Sequence, residues 1–402
     1  MKLHTKEKFA GFTLIELLIA MAVTLVILYA AVLAFQNASN SNQIVVQSAD
    51  MNDNLRAGLN LIQQDLQQAG AGIPTGGISI PFTPNITTGC GTTAAINRPK
   101  LGGKTTFPSC NSTMPAIEPG NSLGPALTAP DATAGTASNP DPSGITDEIT
   151  MLYEDNTLKL DSLPVYAAAT ASPPNPGCPN GSVVLSNTTV TVTFDPTCIN
   201  LNTAGIQVQV GDLILLQNPN VTNGVLLCVT AVSLPNNSLT FTAGDAFGLN
   251  GRNKTDTSGT IAQMANSGCT TGANSCFPQV LATRVWMVTY YLDNVTSPPW
   301  VRLIRQVNMP VAGSTTIDQP TPVGETLENL QFTYNFVDGI TNPSNQSTVP
   351  VGNSESQIRS VNVYLAARSN YNLSKGTSSS YARNNLMTQV SLRSMSYVDR
   401  YF

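Results

Sequence analysis

Residues 11–35, Gly-Phe-Thr-Leu-Ile-Glu-Leu-Leu-Ile-Ala-Met-Ala-Val-Thr-Leu-Val-Ile-Leu-Tyr-Ala-Ala-Val-Leu-Ala-Phe, form one apolar run carrying a single charge, Glu16. About 20 such residues cross the hydrocarbon core of a bilayer as a helix. A carboxylate within such a helix costs on the order of 2.5–3.5 kcal/mol even on a lenient insertion scale, and residues of this kind mark functions. Upstream, the basic leader with Lys2, Lys6 and Lys8 stops at Ala10-Gly11-Phe12. A secretory signal peptide has a shorter apolar core and places its small-residue cleavage site after that core; here Gly11 precedes it. A plain anchor accounts for the length and leaves Glu16 without a purpose.

The apolar pattern continues past the membrane-length run. Asn37, Ser39, Asn40, Ser41 and Asn42 make a polar patch, and Ile44, Met51, Leu55, Leu59, Ile62, Leu66 and Ala69 then recur at mostly three- and four-residue steps, a helical period. Asp50, Asp53, Arg56 and Asp65 read as lying largely off this stripe. The pattern predicts one helix from Phe12 to about Ala69, roughly 85 Å long at 1.5 Å per residue. Gly70, Gly72 and Pro74 end it, and the stripe is expected to clamp a globular head onto the stalk.

The stretch Lys8-Phe9-Ala10-Gly11-Phe12-Thr13-Leu14-Ile15-Glu16-Leu17-Leu18-Ile19-Ala20 resembles the class III signal of type IV pilins and type II secretion pseudopilins. The resemblance implies cleavage between Gly11 and Phe12 by a prepilin peptidase and N-methylation of Phe12. It also implies insertion in the inner membrane as a single-pass precursor with its head in the periplasm, passage through an inner-membrane assembly platform, and packing with other pilins in a helical filament at the cell surface. Cleavage leaves an α-amino group on Phe12 with an ordinary pKa near 7.7–8.0. In an apolar filament core that amine and the Glu16 carboxylate are each costly alone and tolerable as a pair, so Phe12 and Glu16 of neighbouring subunits are expected to set axial register.

Composition fits an exported structural subunit. Charged residues make up 11% of the chain. Removal of residues 1–11 takes away Lys2, Lys6, Lys8 and Glu7, lowering 19 basic and 24 acidic side chains to 16 and 23. Nucleic acid is not an expected partner, because its binding rests on clustered Lys and Arg. The basic leader favours the cytoplasmic side and so puts the head across the membrane. His4, in the leader, is the single histidine; a mature chain without histidine cannot run a Ser-His-Asp mechanism or a His-ligated zinc site. No enzyme, no metal site and no cofactor is expected. The acidic pairs Asp147-Glu148 and Glu154-Asp155 are expected to be solvated strand ends.

Cys90, Cys110, Cys178, Cys198, Cys228, Cys269 and Cys276 all lie in the exported part, where disulfides are the default. Sequence cannot fix connectivity. Sequence-local pairing gives Cys90–Cys110, Cys178–Cys198 and Cys269–Cys276, with Cys228, inside the apolar run Val225–Val229, as a buried thiol.

The chain is expected to divide into the leader 1–11, a transmembrane and filament-core helix 12–36, an amphipathic helix 37–70, a Gly/Pro/Ser/Thr-rich loop or insertion 71–146, and a β-rich head 147–402. Strands are expected at Ile149–Tyr153, Ser182–Phe194, Ile206–Leu216, Val225–Val232, Ser238–Thr242, Arg284–Leu292, Trp300–Val307, Leu327–Phe336, Gln357–Ala367 and Met387–Arg393, each bounded by turn formers. Alternate residues of Arg284–Tyr291 are apolar on both sides, as in a strand buried on both faces. Many strands against one dominant helix give an α+β fold: a long helical stalk packed on a mainly antiparallel β head with long loops.

A second, looser resemblance covers about half of the head. Val210-Gly211-Asp212-Leu213-Ile214-Leu215 with Cys228-Val229-Thr230, Tyr290 with Leu303-Ile304-Arg305-Gln306, Leu327–Tyr334 and Ile358–Ser369 resemble the PilW family of minor pilins. It implies a minor subunit that primes assembly near the filament tip. A J-type pseudopilin, a major filament subunit and a pilin-displayed adhesin remain the alternatives.

Overall fold

The computed structural model describes residues 13–74, 76–81, 96–100, 113–127, 145–155, 164–165, 182–185, 189–197, 199–203, 208–217, 224–250, 280–293, 301–309, 320–369 and 383–396. It has one long N-terminal helix, α1 (Leu14–Gln68), and a globular part of antiparallel sheets. The fold is α+β, as the sequence implies.

Helix α1 has two halves with opposite surroundings. From Leu14 to Phe35 its large apolar side chains are exposed. From Met51 onward the predicted stripe is buried: Met51, Leu55, Leu59, Ile62, Leu66 and Ala69 are between 0 and 7% exposed. Ile44, at 41% exposed, stays outside the contact. Gly58 lies within the buried stretch, and a Cβ there would stand 2.8 Å from Leu303 Cδ2 and 3.3 Å from Leu365 Cδ2. The missing side chain lets the helix backbone press close to two strands of the head.

Those strands belong to the two sheets that cradle α1. The larger sheet runs β14 (Thr321–Glu325), β13 (Arg302–Val307), β12 (Val280–Asp293), β4 (Glu148–Glu154), β3 (Ile117–Gly120), with β5 (Pro164–Val165) and β8 (Leu213–Gln217) also paired to β12, and β9 (Gly224–Cys228) paired to β8. The smaller is β15 (Leu327–Phe336), β16 (Ile358–Arg368), β17 (Arg383–Ser391). Leu303, Leu330, Phe332, Val361, Val363 and Leu365 from these sheets meet Leu55, Ile62 and Leu66 of α1 in one core.

The fourteen-residue β12 is the hub. Val288, Tyr290 and Leu292 enter the core beneath α1, whereas Val285 and Met287 enter a second core with Leu152, Leu213 and Phe247. This is the strand buried on both faces that its alternating pattern predicts. A third core joins β8 and β9 to a four-stranded sheet of β10 (Ala231–Ser233), β11 (Ser238–Thr242), β7 (Thr189–Thr193) and β6 (Ser182–Leu185), through Ile214, Leu227, Val192 and Phe241.

Several expected segments are divided or shortened. Ser182–Phe194 becomes the hairpin β6–β7. Of the expected strand Ile206–Leu216, residues 206–207 lie outside the described residues, and from Val208 the strand begins only at Leu213, because Gly211 takes a φ of +100° and Asp212 closes a turn onto Gln209. Within 71–146, β1 (Ile78–Ser79) pairs with β2 (Thr113–Met114), and β3 joins the large sheet. Their Ile78, Met114 and Ile117 are fully buried.

The acidic pairs are not solvated strand ends. Asp147, Glu148 and Asp155 are 1, 0 and 5% exposed. Asp147 accepts the amides of Ser122 and Phe332 at 2.8 and 2.9 Å; Glu148 pairs with Lys100 at 2.8 Å; Asp155 pairs with Arg284, which also stacks on Trp286 at 4.6 Å. Each buried carboxylate thus has a cation or backbone donors, the condition under which burial is tolerable.

Candidate assembly interface

The first helical turn is closed by a capping box. Thr13, the N-cap, receives the Glu16 amide on its Oγ1 at 3.4 Å, and Glu16 Oε2 accepts both the Thr13 amide at 3.0 Å and the Thr13 hydroxyl at 2.9 Å. This reciprocal arrangement satisfies amides that have no partner within the helix. Both bonds to the carboxylate use Oε2. Among the described residues Oε1 accepts no hydrogen bond, so the cap orients the group and leaves one oxygen facing outward.

Beyond Glu16 the helix presents an uninterrupted apolar surface. Leu18, Met21, Leu25, Val26, Leu28 and Tyr29 are each more than 60% exposed. Its one hydroxyl between Glu16 and Tyr29, Thr24, folds back onto Ala20 O and Met21 O, both at 2.9 Å, so no bare donor faces the apolar surroundings. The helix is long and apolar enough to cross a membrane. An exposed surface of this size and character is not stable in water and marks a membrane or protein contact.

The far end of α1 carries the joint to the head. Asp65, expected off the stripe, is 4% exposed. Its Oδ2 accepts Arg305 Nε at 2.7 Å and the Tyr290 hydroxyl at 2.6 Å, and its Oδ1 accepts Arg305 Nη2 at 3.2 Å and the Tyr153 hydroxyl at 3.1 Å. The carboxylate sits in the last turn of α1, where backbone carbonyls already concentrate negative charge; Arg305 on β13 offsets both. Burial, followed by the Asp65 charge, pushes the Tyr153 and Tyr290 phenols well above their ordinary range. Burial works against the Arg305 charge, yet the Asp65 hydrogen bonds and charge outweigh it and hold the guanidinium protonated. The signal was present in the spacing: Asp65 stands three residues after Ile62 and four before Ala69.

A second polar cluster lies deeper in the head. Arg98, 1% exposed, reaches Glu118 Oε1 at 3.5 Å, Pro119 O at 2.6 Å and Thr150 Oγ1 at 3.4 Å. Lys100 on the same short segment pairs with Glu148. Burial pushes the Glu118 carboxyl up to about 8; the Arg98 charge opposes the shift and Glu355 adds to it. Burial thus favours the neutral acid at Glu118, although Arg98 stands at 3.5 Å. The cluster ties residues 96–100 to β3 and β4.

Gly11, Phe12 and the cysteines Cys90, Cys110, Cys178, Cys198, Cys269 and Cys276 lie outside the described residues. Cys228 is 3% exposed on β9, with its Sγ 3.9 Å from the Gly211 and Val229 carbonyls.

A family model described as the prokaryotic N-terminal methylation motif matches residues 7–32. The match supports a subunit similar to type IV pilins or pseudopilins, with processing by a prepilin peptidase and assembly with other pilins. Comparison with curated proteins and with solved structures gives no match.

Proposed function

We propose that the chain is a prepilin, cut between Gly11 and Phe12 and N-methylated on Phe12, that joins a type IV pilus as a PilW-like minor subunit priming assembly near the tip. The observation that carries this reading is the division of α1. Its C-terminal part is consumed by the head, while Leu14–Phe35 is left as a bare apolar rod with one oriented carboxylate. Such a rod needs lipid before assembly and other helices after it. The outward Oε1 of Glu16 is available to the Phe12 amine of a neighbouring subunit, and pairing removes two isolated charges from an apolar core at once. Retention of the glutamate fits a subunit that docks beneath another.

Immunogold labelling of purified filaments tests the assignment. The minor-subunit reading expects gold at the tips. Continuous labelling along the shaft supports a major subunit instead, and absence from filaments with retention in a secretion apparatus supports a J-type pseudopilin. Tip labelling with normal pilus number but lost attachment in a deletion strain supports an adhesin.

A further inference from the structure

Strands β4 and β12 are antiparallel neighbours, with Glu154 opposite Val285. Residues 155–279 nevertheless run between them and carry the four-stranded sheet β10–β11–β7–β6. The parity of β12 shows where this inserted sheet stands. Its pairing with β4, β8 and β13 has no register shift, so alternate residues share a face. Val288, Tyr290 and Leu292 pack in the core with α1. Ala282, on the same face, packs with Val192, Leu239 and Phe241 of the inserted sheet. Val285 and Met287 point the other way, into the core with Ile78 and Phe247. The stalk helix and the inserted sheet therefore cover one face of the large sheet together.

The two also lie in line. Tyr290 bonds Asp65, and Leu292 pairs with Leu303, whose side chain abuts Gly58; β12 thus runs opposite to α1. Lower numbers in β12 lie beyond the C-terminal end of the helix, which stops at Gln68. Ala282 stands eight residues before Tyr290, about 26 Å along an extended strand. Between them Arg284 pairs with Asp155, at the end of β4, and with Asp212, 3.3 Å away at the start of β8, and it stacks on Trp286. One guanidinium thus fixes the inserted lobe over the end of the stalk.

In a filament, Glu16 paired with the Phe12 amine of a neighbour raises each rod by four residues, about 6 Å. The part of the head held by Met51–Ala69 is about 27 Å tall, and about five such steps clear it. The inserted sheet adds up to about 26 Å in the same direction, so a second copy standing above needs about nine steps. The large sheet has five strands along its main path, a width of about 24 Å. About nine heads of that width side by side make a ring about 220 Å round. The same number of rods in contact is only about 100 Å round, and the rods must touch to bury their apolar surface.

Taking the chain as a filament subunit, we propose that the inserted sheet keeps it from stacking on itself: a filament holds it singly, and its rod neighbours are other pilins with shorter heads.

The test combines Leu14→Cys with Leu18→Cys, positions that the four-residue stagger brings level in adjacent rods, in the full chain expressed with its companion pilins. The rod has no cysteine of its own. Sheared filaments are treated with a short bismaleimide and probed for homodimers of the tagged chain, against the same chain without the rod cysteines. The expected result is cross-links to other pilins, no homodimer, and a number of copies per filament that stays constant when expression is raised. Homodimers, or copies that rise with expression, overturn the proposal while leaving the chain a filament subunit. Absence of the chain from sheared filaments overturns the filament reading itself. A second variant replaces residues 182–193 and 231–242 by short Gly/Ser links, which removes the inserted sheet and keeps β8 and β9. It is expected to form homodimers and to enter filaments in several-fold more copies. Trimmed chains that enter filaments and still give no homodimer overturn the steric role; should trimming prevent entry, the intact chain decides alone.

Discussion

The Asp65 carboxylate on the stalk and the Arg305 guanidinium on the head stand 2.7 Å apart, inside a ring completed by the Tyr153 and Tyr290 hydroxyls. Around them the contact between α1 and the sheets is mainly apolar, with Asn52 bonded to Asn384 more than three turns away, and apolar contact specifies axial register less sharply than polar pairing does. A four-group polar cluster fixes it, because a shift of one helical turn, about 5.4 Å, leaves every member without its partner.

Replacing Asp65 by Ala is therefore expected to destabilise the head–stalk unit by about 2–4 kcal/mol. Breaking a buried pair ordinarily costs about 3–5 kcal/mol, and the figure is lowered because the Arg305 side chain keeps 24% exposure. Tyr153→Phe, which removes one hydroxyl, should cost about 1 kcal/mol. Denaturant titration of the full chain in micelles measures both. An Asp65→Ala variant as stable as the parent refutes the role given to the cluster.

Gly58 gives a prediction that separates close approach from helix propensity. Gly58→Ala gains about 1 kcal/mol of helix propensity and meets only the flexible ends of Leu303 and Leu365, so a net change near zero is expected. Gly58→Leu overfills the same gap and should cost about 1–3 kcal/mol or more. Thermal melts of the two variants against the parent decide it. Equal stability of the leucine variant means the helix and sheets are not pressed together there.

Glu118 predicts a pH dependence of definite sign. Its carboxyl is raised from 4.5 to about 8 in the folded chain, so the folded state holds the proton more tightly than the unfolded one. Stability from this group is full below about 4.5, falls as pH rises towards about 8 and is constant above. The total change is on the order of 5 kcal/mol at most. Glu118→Gln keeps an acceptor for Arg98 and should flatten the curve between those limits, becoming the more stable protein at pH 8. Unfolding free energies of both proteins at pH 5, 6.5 and 8 provide the check; parallel curves contradict the assignment.

Glu16→Gln distinguishes the two uses of that side chain. The amide oxygen can still accept from Thr13 and close the first turn, but the charge is gone. If capping its own helix were the whole role, the variant would enter filaments normally. Pairing with a neighbour's Phe12 amine predicts membrane insertion with loss of incorporation, read by immunoblot of sheared filaments against membranes. Glu16→Ala should behave in the same way at the filament and, in addition, speed exchange of the Thr13 amide, which loses its acceptor.

The stalk and most of the strands were legible because each writes a long period into the sequence. Helix α1 ends within a residue of the expected Ala69, and Ser238–Thr242 and Leu327–Phe336 fall where their alternation puts them. Strand β14 escaped notice because Pro322 and Gly324 resemble a loop. The burial of Asp65, Asp147, Glu148 and Asp155 was misread for a common reason: a carboxylate looks solvated until its partner is known. Those partners, Arg305, Phe332 with Ser122, Lys100 and Arg284, lie between 25 and 240 residues away. The helical spacing does put Asp65 on the buried face, but no local pattern names partners at such separations. The assembly face was the easiest part to find, because an exposed apolar helix with one acid violates the ordinary rules for a soluble surface.

In a filament of the kind proposed, a pull on the rod would reach the head as shear across the seam that begins near Met51. That seam is pinned near both ends, by Asn52 with Asn384 and by Asp65 with Arg305, and is tightly packed between them at Gly58. Because the chain runs on from Gln68 directly into the head, a slipped seam would leave the head tethered and change its tilt on the rod.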